Sequence, residues 1–152
     1  MTAVRENLTR DEARARAEIV EDVRYEVLLD LTRGDEVFGC ETRILFRSSD
    51  PGAETFIDLT ARTVHQVVLN GRELDPADIG PTRVRLSDLG ADNELHVVAD
   101  MAYQHTGKGL HFFRDPTDDR VYLHSQSEPF DAHLVYPCFD QPDLKAVSVS
   151  YT

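Results

Sequence analysis

His124, Gln126 and Glu128 set an imidazole, an amide and a carboxylate at alternate positions of the run Val121-Tyr122-Leu123-His124-Ser125-Gln126-Ser127-Glu128. On a strand running into a loop, that period points all three the same way. A carboxylate beside an amide suits an ammonium group: Glu128 supplies the negative charge, and Gln126 a neutral acceptor of fixed geometry. Spacing alone describes a solvated strand end stitching a turn at least as well. The second chemistry open to these residues is proton transfer. Glu128 would be the acid or base and His124, Tyr103, His133 and Tyr136 its partners, because aromatic walls raise a carboxyl pKa toward neutrality. Each has a plainer role too. Tyr136 and Phe139 read as core aromatics, His133 as a surface loop residue, Cys138 as a small buried hydrophobe, and Asp140 as a carboxylate that stabilises a turn.

These residues need a scaffold, and the rest of the chain reads as a β-domain. Thr9 and Glu12 fit a capping box ahead of Ala13, Arg14, Ala15 and Ala17, which predicts a short helix. The apolar face of that helix is thin, so it is expected on the surface. From Val23 onward, segments rich in Val, Leu, Ile, Phe and Tyr fall at residues 23–31, 37–46, 54–59, 64–69, 82–86, 94–103, 110–114, 121–125 and 147–151. Turn residues separate them. Asn70-Gly71 is the sharpest turn, since a type I′ hairpin needs positive φ at both central positions. Alternation in Arg43-Ile44-Leu45-Phe46 and Arg83-Val84-Arg85-Leu86 predicts strands with one wet face, whereas Leu95-His96-Val97-Val98-Ala99 reads as more buried. With no long helix between strands, the expected fold is all-β, an antiparallel sandwich in one domain over residues 1–152.

Composition narrows the function. A chain of 152 residues that is 41% hydrophobic can bury one core. Its formal charge of −12 argues against nucleic acid and against anionic membrane surfaces, both of which call for clustered Lys and Arg. Cys40 and Cys138 are far apart and outside any CxxC spacing, which favours a reducing compartment over a disulfide framework. The N-terminus alternates charges and has no signal-peptide core, so the protein is expected in the cytoplasm.

A longer pattern then gives the cluster a context. Gln126-Ser127-Glu128, Asp131-Ala132, Tyr136-Pro137-Cys138-Phe139-Asp140 and Pro142-Asp143-Leu144-Lys145-Ala146 follow one another in an order that resembles the N-terminal domain of the M1 family of zinc aminopeptidases, the aminopeptidase N type. Phe56-Ile57-Asp58-Leu59, the Asn70-Gly71 turn, and Tyr103 through Gly109-Leu110 and Phe112 agree more loosely. The opening residues Asn7 to Ala13 look like the actinobacterial branch. The resemblance implies a saddle-like β-sandwich packed on a thermolysin-like catalytic domain. It also implies that Glu128 helps hold the free α-amine of a peptide and that Gln126 lines the pocket for the first side chain. A charge-assisted hydrogen bond to the chain terminus is a natural device for an exopeptidase.

Two departures qualify that expectation. Zinc hydrolysis of this kind uses two His one helical turn apart around a Glu, HExxH. The six histidines His65, His96, His105, His111, His124 and His133 contain no such pair. The family's Gly-x-Met-Glu-Asn segment is missing as well. No cofactor is therefore expected in this chain; zinc belongs to the implied catalytic domain, in the same or another chain, and this chain alone is not expected to cleave peptides. The last segment carries its apolar residues at Val147, Val149 and Tyr151, opposite in phase to the family, so its packing is expected to differ. Besides an amine-anchoring domain, the sequence leaves open a free-standing small-molecule enzyme or binding protein using Glu128, and an acidic interaction module.

Overall fold

The computed structural model describes residues 7–151, and its first element, helix α1 (Arg10–Ile19), starts where the capping box predicts. The Thr9 hydroxyl accepts the Glu12 N–H at 3.2 Å, and the Glu12 carboxylate accepts the Thr9 N–H at 2.9 Å. The expectation of a merely superficial helix needs correction. Arg16 is only 1% exposed, and its guanidinium meets the Asp58 carboxylate at 2.7 Å while lying 4.5 Å over the Phe56 ring. A buried charge holds the helix down in place of the missing apolar stripe.

The strands follow as β1 (Val20–Asp30), β2 (Val37–Ser48), β3 (Thr55–Asp58), β4 (Thr63–Leu69), β5 (Arg72–Glu73), β6 (Arg83–Leu86), β7 (Asp92–Ala102), β8 (Gly109–Arg114), β9 (Val121–Gln126) and β10 (Ala146–Tyr151). Six of them form one sheet in the order β10-β1-β2-β7-β4-β5, and the pairs β3-β6 and β8-β9 form two small sheets. The all-β sandwich is as predicted. Alternation fixes the buried face: Phe38, Cys40, Ile44 and Phe46 from β2 and Leu95, Val97, Ala99 and Met101 from β7 point inward. Ile57, Val84 and Leu86 of the small sheet, with Leu59, Leu89 and Phe139, belong to the same core. In β1 the register shifts between Glu21 and Arg24, with Asp22 at φ 50°. That bulge lets Val20 and Val23, three residues apart, share the inner face.

Three details differ from or sharpen the sequence reading. β7 is not buried on both faces: His96, Val98 and Asp100 are half-buried while their neighbours are covered. Asn70 and Gly71 do take positive φ, 52° and 80°, and join Leu69 to Arg72 as a two-residue hairpin. β10 breaks the antiparallel rule by running parallel to β1, with Ser148 beside Tyr25 and Val149 beside Glu26. Since Tyr25 is buried and Glu26 is not, the apolar residues of β10 lie on the outer face, leaving Val147 63% and Tyr151 58% exposed.

The helix start also gives a pH dependence. Arg83 donates to Glu12 at 2.7 and 3.2 Å, and this hydrogen bond holds the Glu12 carboxyl down at about 2 against its ordinary 4.5. A depressed carboxyl stabilises the fold fully above its unfolded-state pKa and stops doing so as pH falls through its folded one. The Glu12 contribution is thus expected to fade between about pH 4.5 and 2. In urea denaturation, Glu12→Gln should be less stable than the parent at neutral pH and should lack that part of the acid-side decline.

Candidate functional site

β9 ends at Gln126, so the period that would align Glu128 with His124 and Gln126 stops short of Glu128. Residues 127–130 instead form a turn, closed by the Asp131 N–H donating to the Ser127 carbonyl at 2.9 Å. The Gln126 amide donates to the Glu128 carbonyl at 3.5 Å, and the Glu128–Pro129 peptide is cis. Glu128 itself is exposed to water. It lies on the rim of a cavity of about 350 Å³ that Tyr25, Tyr136, Asp140 and Lys145 also line. Tyr25 and Tyr136 meet edge to face at 5.8 Å. Burial pushes the Tyr136 hydroxyl up to about 12 and the Tyr25 hydroxyl further still, so both remain protonated at neutral pH.

Behind this cavity the loop is fastened by buried polar contacts. Asp140 Oδ2 accepts the His133 backbone N–H at 3.1 Å and contacts the His133 ring at Nδ1 at 2.7 Å. Because a carboxylate only accepts, Nδ1 carries the proton. The Asp140 N–H donates to Asp58 Oδ2 at 3.1 Å, and Arg16 reaches that same oxygen. Gln141 accepts from Arg16 Nε at 2.6 Å and donates to the Ala13 carbonyl at 3.0 Å. Phe139 N–H donates to the Tyr25 hydroxyl at 2.9 Å. Burial pushes the Asp58 carboxyl up, with Arg16 opposing, and pushes the Cys138 thiol well up, which leaves it an inert hydrophobe.

Of the residues singled out from the sequence, Glu128 and Tyr136 share a cavity and Gln126 braces the turn beside it. The others lie apart. Tyr103 is in the core against Phe38 and Phe112, with ring centroids at 5.0 and 5.2 Å. His124 sits on β9 opposite His111. His133 is not a surface residue, because Asp140 and the Phe130 ring, 4.6 Å away, enclose it. Asp140 and Cys138 take the plain roles expected of them. The sequence reading missed Arg16, Asp58 and Gln141. One signal was available: Asp58 is a lone carboxylate in the apolar segment Phe56-Ile57-Asp58-Leu59, and a buried carboxylate needs a partner. Among the described residues, no group of three or more His, Cys, Asp or Glu side chains is placed to hold a metal ion. A zinc ion therefore does not fit this site. No helix among them is long and apolar enough to cross a membrane.

No family profile matches the chain. Aminopeptidase N of Streptomyces lividans is 49% identical over 144 residues, covering 92% of this chain and 17% of that protein. A probable M1 family aminopeptidase 2 of Encephalitozoon cuniculi is 32% identical over 111 residues, or 58% of this chain and 13% of the relative. Among solved structures, yeast LTA4 hydrolase in complex with bestatin superposes with a TM-score of 0.70 at 14% identity over 95% of this chain and 27% of that one. An M1 zinc metallopeptidase variant from Deinococcus radiodurans gives 0.69 at 16% identity over 87% and 32%. The chain is thus similar in sequence to a part of M1-type aminopeptidases, and its fold is one that M1 zinc metallopeptidases share. Among these it resembles the N-terminal domain of aminopeptidase N, and it spans about a sixth of the length of the Streptomyces protein.

The fastening of the loop can be measured. Asp140→Ala leaves the His133 ring and backbone N–H buried without their acceptor, and should cost about 2–4 kcal/mol of stability in urea denaturation. A loss under about 0.5 kcal/mol would mean that the pair does not fasten the loop.

Proposed function

We propose that this chain is the substrate-anchoring domain of an aminopeptidase N-type zinc exopeptidase, in which Glu128, with Gln126, binds the free α-ammonium group of a peptide. The observation that carries this reading is the setting of Glu128, a water-accessible carboxylate at a cavity rim whose supporting loop is held by buried bonds. A solvated carboxylate on a fixed frame can exchange water for an ammonium group with little reorganisation. Gln126 holds the Glu128 carbonyl and so braces the turn. Binding the amine fixes how far the first peptide bond stands from the anchor, which is what distinguishes removal of one residue from internal cleavage.

In this reading the partner is a catalytic domain, in the same or another chain, whose bound zinc activates the hydrolytic water. Its docking surface includes the β8-β9 hairpin, where Phe113 and Tyr122 pair across the strands and stand 49% and 50% exposed. That hairpin also carries Gln126, so docking there brings the anchor to the zinc side of the interface. The isolated chain turns over no peptide. Cytoplasmic residence belongs to the same reading, in keeping with two free, buried thiols, Cys40 and Cys138.

Replacing Glu128 with Ala in the complete enzyme tests it. A charge-assisted hydrogen bond is worth about 1.5–3 kcal/mol, so kcat/KM for a peptide with a free amine should fall roughly ten- to a hundredfold. Unchanged kinetics would remove Glu128 from amine recognition.

A further inference from the structure

We infer that Arg16, on the N-terminal helix, is a positioning residue for amine binding: through Asp58 and Gln141 it sets the register of the loop whose other end presents Glu128. The inference rests on the reading of Glu128 given above. Three links carry it from the helix to the loop. Arg16 Nη1 donates to Asp58 Oδ2 at 2.7 Å, and that oxygen also accepts the Asp140 N–H at 3.1 Å. Asp58 and Cys138 exchange backbone hydrogen bonds at 2.9 and 3.0 Å, which fixes the loop beside β3. Arg16 Nε donates to Gln141, the residue after Asp140, at 2.6 Å. From Asp140 the path continues to His133, whose carbonyl accepts the Thr60 N–H at 3.0 Å, and then to the Asp131–Ser127 turn around Glu128.

Stability alone gives a poor account of this arrangement. An apolar pair of similar volume docks a helix as well as a buried ion pair or better, because two charges need not be stripped of water. Arg16 Nη2 is moreover buried with no hydrogen-bond partner among the described residues, a cost that a purely structural anchor would avoid. An apolar pair cannot hold the Asp140 N–H and the Gln141 carboxamide at fixed points. The ion pair can: the Asp58 carboxylate accepts the Asp140 N–H, and the guanidinium, whose donors leave one plane in set directions, holds both that carboxylate and the Gln141 amide oxygen. The ion pair spends stability on the geometry of the loop.

The experiment uses the complete enzyme. The readout is the ratio of inhibition constants for a competitive dipeptide analogue and for the same compound lacking its amine. Arg16→Met combined with Asp58→Leu replaces the pair with apolar side chains and so preserves helix docking. It should lower the amine preference about tenfold, raise KM more than it lowers kcat, and add little to Glu128→Ala in a double-mutant cycle. Gln141→Met, which leaves the ion pair in place, should lower the preference in the same direction. A lowered ratio in Glu128→Ala with an unchanged ratio in the folded Arg16→Met/Asp58→Leu protein overturns the role of Arg16 alone. If that protein does not fold, an unchanged ratio in Gln141→Met overturns it instead. An unchanged ratio in Glu128→Ala overturns the amine reading and this inference with it.

Discussion

A guanidinium taken out of water has to be answered within about one hydrogen-bond length, and Arg16 is answered by the Asp58 carboxylate and the Phe56 carbonyl on one side and by Gln141 on another. That requirement joins three parts of the chain that are distant in sequence: helix α1, strand β3 and the loop after residue 137. Apolar packing alone would let each settle with some latitude, since hydrophobic contact has no preferred direction. The ion pair removes the latitude. Asp58 is the junction, with its carboxylate turned to the helix and its backbone to Cys138.

The outer face of the large sheet follows a different logic. Arg43 reaches Glu94 at 2.8 Å and Glu26 at 3.5 Å, and Arg33 reaches Asp30 and Asp100 at 2.9 Å. These pairs lie on the solvent side, where water and salt screen them, and each contributes little to stability. Their effect is to keep one side of the sheet wet and so to define which side is the core. The same kind of contact therefore specifies geometry where it is buried and only the inside-outside sense where it is not.

Much of this was legible in the sequence because it depends on local rules. The capping box at Thr9, the Asn70-Gly71 turn and the alternation in β2 and β6 each follow from a few neighbouring residues. The positions of His133 and Arg16 did not, since both are buried by partners far along the chain, and polarity alone argues for exposure. The mixed burial of β7 was obscured because Val98 is apolar on the wetter face, which blurs the alternation. For the site, Gln126 and Glu128 stood out by type and order. Their relation was misjudged by a strand period extended two residues past the real end of β9, a boundary that depends on the turn and on pairing with β8.

The segment that carries Glu128 is also the crossover that leads from the β8-β9 hairpin back to the edge of the main sheet, where β10 lies parallel to β1. In sequence, strands β2 to β9 all lie between β1 and β10, so this pairing joins residues more than a hundred positions apart, as in Val23 beside Ala146. Pairing between residues so remote in sequence is slow to form, because the whole intervening chain must first be confined. The edge of the sheet and the shape of the anchoring loop are therefore expected to mature together and late in folding, the loop gaining its final form only when the first and last strands meet.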